Sequence, residues 1–125
     1  MENQFNDPNI TSKYTRSEAI EDGVLVDIST LSKEVGIKYP VAVTRAVFAL
    51  LSDTHGEGQD FKGRAWDLLM VFRVAAKKSI ESEVHFTPLF LIEGSEQAQS
   101  VAMWAKCGPG DDLEPVITIM LKGED

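Results

Sequence analysis

Groups that could do chemistry are few in this chain, and their spacing limits what they could do. Cys107 is the single cysteine. It would serve as a nucleophile if a histidine and a carboxylate converged on it. It ends a strand-like run just before Gly108-Pro109-Gly110, where backbone amides are open to a ligand. A free cysteine more commonly behaves as a small buried apolar residue. The two histidines, His55 and His85, share neither HxxxH nor HxH spacing, so no zinc set of recognisable form is present and no metal is expected. Asp111, Asp112 and Glu114 cluster on one turn. Such acids hold Mg²⁺ or Ca²⁺ or share a proton, but acids in tight turns more often bond their own backbone. The DxDxDG calcium loop is absent, as are GxSxG, HExxH and Walker patterns. Gly56-x-Gly58 follows a helical run and lacks the rest of a phosphate-binding fingerprint. No cofactor is implied. An enzymatic or ligand-binding site, if there is one, belongs near Cys107, His85 and the Asp111-Asp112 loop.

The charge balance points elsewhere. Twenty acidic residues against twelve Lys and Arg give a net charge of −8. Direct binding to nucleic acid needs a basic face, so none is expected. An acidic surface does suit a basic partner. The acids gather at predicted element ends, including Glu57 and Asp60 at one connection and Asp111, Asp112 and Glu114 at another. With 125 residues, 43% of them hydrophobic, the chain is long enough for one domain with a single core. One cysteine excludes an internal disulfide, and no apolar stretch suits a leader peptide or a bilayer span. A cytoplasmic protein without membrane contact is the expectation.

The longest uninterrupted helical pattern, around which the other elements are arranged, is the stretch from Asp60 to Ser79. Asp60 is a good N-cap, and Lys77 and Lys78 suit the negative end of the helix dipole. At 3.6 residues per turn Phe61, Ala65, Leu68, Leu69, Phe72, Ala75 and Ala76 form one apolar stripe. Trp66, Met70 and Val74 form a second ridge on the other side. Two stripes mean either a helix sandwiched between two layers or an exposed ridge that binds a partner.

The other elements follow in chain order. Residues 1–18 are expected to be a flexible polar arm, and 19–125 a single domain. Val24 to Ile28 reads as a short strand. Ser29 or Thr30 caps a brief helix from Leu31 to Val35, stopped by Gly36. Pro40 opens a second helix over Val41–Asp53, and His55–Gln59 is a loop. Glu83 to Ile92 alternates as a strand, with Pro88 marking an edge or a bulge. Gly94–Gln99 is a turn, Ser100–Cys107 a strand, and Val116–Leu121 a strand apolar on both faces and therefore central. The fold class is α+β: a short N-terminal strand and an antiparallel helix pair packed on a three- to four-stranded antiparallel sheet.

Three stretches carry a resemblance: AIEDGVLVD at 19–27, YPVAVTRAV at 39–47 and GPGDDLEPVITIML at 108–121. Together they resemble a family of small uncharacterised single-domain proteins carried on bacterial plasmids, conjugative elements and phages. The resemblance spans Ala19 to Asp125 and implies no activity and no site residue. It implies a setting in which small accessory proteins act by binding, often against a host defence complex.

The combined expectation is a non-enzymatic binding protein. Its partner would be a host protein or a protein–nucleic-acid complex with a basic surface, in the manner of an anti-CRISPR or anti-restriction inhibitor. The expected contacts are Asp111, Asp112, Glu114, Glu57, Asp60 and Trp66. Self-association into a homodimer, through the Pro88 edge or the Trp66 ridge, is the remaining alternative.

Overall fold

The strand at residues 115–121 is the centre of the molecule. In the computed structural model, which describes residues 14–53, 60–79, 81–91 and 97–124, it is β7, Pro115–Leu121, in the middle of a five-stranded sheet of order β1-β2-β7-β6-β3. Its neighbours are β6, Met103–Pro109, paired antiparallel, and β2, Val41–Thr44, paired parallel with Val41 opposite Ile117. β1, Leu25–Asp27, lies outside β2, and β3, Glu83–Phe86, closes the other edge. A second, two-stranded sheet joins β4, Leu89–Leu91, to β5, Ala98–Ser100.

The helices are α1, Arg16–Glu21; α2, Ser29–Val35; α3, Arg45–Ser52; and α4, Phe61–Lys77. α4 is capped by Asp60, which accepts from the Gly63 N–H at 2.7 Å. Its predicted stripe meets the sheet. Ala65, Leu68, Leu69 and Phe72 are buried with Val41, Val43, Val84, Phe86, Ala105 and Ile119 in one core. Phe72 and Phe86 rings lie 5.6 Å apart across the α4–β3 contact. α1 lies against the opposite face, where Arg16 reaches β7. Among the described residues no helix is long and apolar enough to cross a membrane.

The α+β class and the central place of the last strand hold. Several details differ from the sequence reading, each for a local reason. Val41–Thr44 is a strand and not the start of a helix. Its first three side chains are fully buried between two neighbours, where β-branched residues pack well, and a short apolar run does not distinguish a buried strand from a buried helix. Helix α3 therefore begins at Arg45, with the Thr44 hydroxyl accepting from the Val47 N–H. The sheet is mixed and five-stranded, because β2 enters it parallel to β7. α4 packs against α2 as well as α3, so the expected helix pair is a group of three; Phe48 of α3 meets Phe61 of α4 at 5.3 Å. The single strand expected over 83–92 is broken at Thr87-Pro88, where proline removes a ladder donor, and the chain passes from one sheet to the other. Ala98 and Gln99, read as the end of a turn, form β5 with Ser100, and the strand expected over Ser100–Cys107 is divided between β5 and β6; residues 92–96 lie outside the described set. α2 starts at Ser29 itself, whose N–H is held by Asp27, and ends at Gly36 with φ 101°. Among the described residues the first helix is α1, which takes in three residues of the expected 1–18 arm; residues 1–13 of that arm lie outside the described set.

Candidate functional site

The acidic hairpin between β6 and β7 holds part of its charge inward. Asp111 Oδ1 accepts from the Arg16 N–H and Oδ2 from the Ser17 N–H, both at 2.9 Å. One carboxylate thus satisfies the first two free donors of α1, where a negative charge also opposes the helix dipole. Thr15 and Glu18 complete that helix start as a capping box. Arg16 extends from the same turn onto β7, donating from Nη1 to the Thr118 hydroxyl at 2.6 Å and from Nη2 to the Ile117 carbonyl at 2.8 Å. Burial pulls the Arg16 guanidinium below its usual pKa, and Asp27, Asp111 and Glu114 oppose that shift. Glu114 also accepts from the Asp112 N–H at 2.9 Å within the loop. A Cβ on Gly110 would stand 2.7 Å from the Glu114 carboxyl carbon, so glycine lets the loop fold over its own acid. Asp112 is the exposed member whose carboxylate has no partner among the described residues.

The other predicted contacts are scattered. Asp60 is exposed and engaged as the cap of α4. Glu57 lies outside the described residues. Trp66 is 36% exposed, and Met70, Val71 and Val74 beside it are 37%, 37% and 50% exposed. The second stripe of α4 is therefore uncovered, and the sandwiched alternative does not apply. Met70, Val71, Val74, Ala75 and the stem of Lys78 border a shallow depression on this face.

Cys107 and His85 do not converge. His85 pairs with Trp104, and its ring stacks on the indole at 6.2 Å. Trp104 and Lys106 point to one face of β6, while Met103, Ala105 and Cys107 point to the other, since side chains alternate along a strand. The imidazole and the thiol are separated by the sheet. Burial raises the Cys107 pKa, which disfavours the thiolate that a nucleophile needs. Among the described residues no group of three His, Cys, Asp or Glu side chains is placed to hold a metal.

The structure does give Cys107 a different setting. It lines a groove of about 590 Å³ between the α2–β2 connection, the C-terminal half of α4 and the β6–β7 hairpin. Ile37, Phe72, Ala76, Cys107 and Ile117 contribute to an apolar lining, and Leu113 stands at the hairpin side. Leu113 has φ 68° and is 81% exposed, a left-handed conformation that costs a leucine more than a glycine or asparagine. Lys38, Arg73 and Lys77 are the charged residues of the lining, and it contains no acid. The Arg73 guanidinium lies against the bare Cα of Gly36, with Nε 3.5 Å from where a Cβ would stand.

Sequence reasoning missed three arginines. Arg64 is only 4% exposed and donates from Nη1 to the Leu50 carbonyl at 2.6 Å, with its guanidinium 5.8 Å from the Phe90 ring centre. Its place on the apolar stripe, three residues after Phe61 and four before Leu68, was the available signal. Arg73 and Lys77 were one turn apart on the same helix face, but only the hairpin brings an apolar wall to them. Arg16 carried no signal, because its partners are more than 90 residues away.

Searches of the curated proteins and of the solved structures find no match to the chain. A family model matches residues 1–125, the whole sequence, and on that match the chain belongs to DUF6573, a family of unknown function.

Proposed function

We propose that the protein acts by binding another protein and covering a surface of it, without catalysis, and that the outer face of α4 is where it makes contact. One observation carries this reading: Trp66, Met70, Val71 and Val74 form a contiguous exposed apolar ridge on the longest, best-anchored helix of the fold. Aromatic and methionine side chains on a rigid helix are the usual anchors of a protein interface. The partner is a protein offering an apolar cleft wide enough for one helix face, the geometry of helix-in-groove recognition. The acidic hairpin is the secondary contact. Asp112 is its free carboxylate and would meet a basic rim, whereas Asp111 and Glu114 already serve the loop and α1. The finer form of this reading, a mobile-element protein that occludes a host defence complex such as a CRISPR or restriction assembly, rests on the family resemblance.

The test is affinity capture from a bacterial lysate with three baits: the unchanged protein, Met70→Asp with Val74→Asp, and Asp112→Asn. A stoichiometric partner retained by the first and third baits and lost by the second supports the ridge. Capture that survives the double change but fades with moderate salt, or with Asp112→Asn, would move the contact to the acidic hairpin. Light scattering on the pure protein separates both from self-association: a dimer abolished by the double change would make the partner a second copy.

A further inference from the structure

We propose that the groove between the α2–β2 connection, α4 and the β6–β7 hairpin binds a small amphiphile with one anionic head group, a carboxylate or a phosphate, on an aliphatic or aromatic body. This site is independent of the α4 ridge. Three observations converge on it. Its volume, about 590 Å³, falls in the range that holds small organic ligands. Its lining is apolar apart from Lys38, Arg73 and Lys77, and contains no acid, although the chain carries a net charge of −8. None of these three cations has an ion-pair partner among the described residues; Lys38 only stands 5.7 Å over the Tyr39 ring. Cations left unpaired around an apolar cleft in an acidic protein attract an anion there, and here three of them border one groove.

The elements give each part of the ligand a place. Arg73 and Lys77 are one turn apart on α4 and so present two donors side by side, with Gly36 leaving room for the guanidinium. A carboxylate or phosphate would sit between them, and the planar guanidinium fits two of its oxygens. The body would lie over Phe72, Ala76 and Ile117. Leu113 is held in its costly left-handed conformation at the open side, where its exposed side chain would fold over the ligand. Strain of this kind persists where it serves a site.

Titration calorimetry with decanoate, decyl phosphate and decyltrimethylammonium, each below its micelle concentration, tests the proposal. One equivalent of decanoate or decyl phosphate should bind, the tighter of the two naming the head group, with the cationic amphiphile at least tenfold weaker. Arg73→Glu with Lys77→Glu should weaken anion binding at least tenfold while the thermal midpoint stays close to that of the unchanged protein. Equal binding of the cationic amphiphile, or unchanged anion binding in the double variant, would overturn it. If that variant unfolds, the exposed loop change Lys38→Glu together with amide chemical shifts decides. Shifts confined to residues around Ile37, Ala76 and Ile117 support the groove. Shifts centred on Met70 and Val74 mean that the chains coat the ridge instead, and the proposal fails.

Discussion

The hairpin at residues 110–114 and the outer face of α4 are both exposed, and they differ in what their side chains are already doing. On the hairpin, Asp111 holds two N–H groups of α1 and Glu114 closes its own loop. On α4, Trp66, Met70 and Val74 face solvent although Ala65, Leu68, Leu69 and Phe72 on the opposite side of the same helix are buried. Charge that is hydrogen-bonded at home has little left for a partner, and apolar surface that remains in water has everything to gain from one. The place to look for a binding surface is where an ordered element leaves its physical requirements unmet.

The sharpest way to break this comparison is to change the two sides of α4 separately. Leu68→Ala, on the buried side, should cost about 2–5 kcal/mol by leaving a cavity. Met70→Ala, on the exposed side, should stay within about 0.5 kcal/mol. Urea denaturation reads both, and a comparable loss at Met70 would mean that the ridge is packed. The hairpin carries the next effect. Asp111→Ala should destabilise by about 1–2 kcal/mol, the loss of a helix-start carboxylate, and should speed amide exchange across residues 16–22. Asp112→Ala should do neither, and equal effects would remove the distinction between engaged and free acids. Leu113→Gly should raise stability by roughly 0.5 kcal/mol, because relief of the left-handed conformation outweighs the added chain entropy of glycine; if Leu113 covers a ligand, the same change should weaken decanoate binding.

Cys107 gives the smallest effect. Its folded-state pKa is raised by burial, so the neutral thiol contributes stability that is fully present below the ordinary thiol pKa. That stability is lost as pH rises through the raised value. Iodoacetamide at pH 8 should therefore alkylate Cys107 several-fold more slowly than an unstructured cysteine peptide. Faster labelling would restore the thiol as a candidate nucleophile.

What was legible in the sequence was local. Asp60 as a cap, the buried stripe of α4, the stop at Gly36 and the two-faced apolar run of β7 all follow from side-chain period or a backbone angle. Each is decided within a few residues. The exposed state of Trp66 was not decided in this way, since a second stripe reads the same whether or not another layer covers it. Nor was the strand at Val41–Thr44, whose identity comes from the parallel pairing of Val41 with Ile117, 76 positions along the chain.

The sequence by itself determined that this is an acidic α+β protein built on one long helix and a central terminal strand, because composition and periodicity act on neighbouring residues. Only the tertiary structure decided that Asp111 caps a helix 94 and 95 positions away, that His85 and Cys107 lie on opposite faces of the sheet, and that Lys38, Arg73 and Lys77 surround one apolar groove. Those outcomes depend on which strand pairs with which and on where the loops close. Such long-range choices are set by the total burial of the core, and no short stretch of sequence contains them.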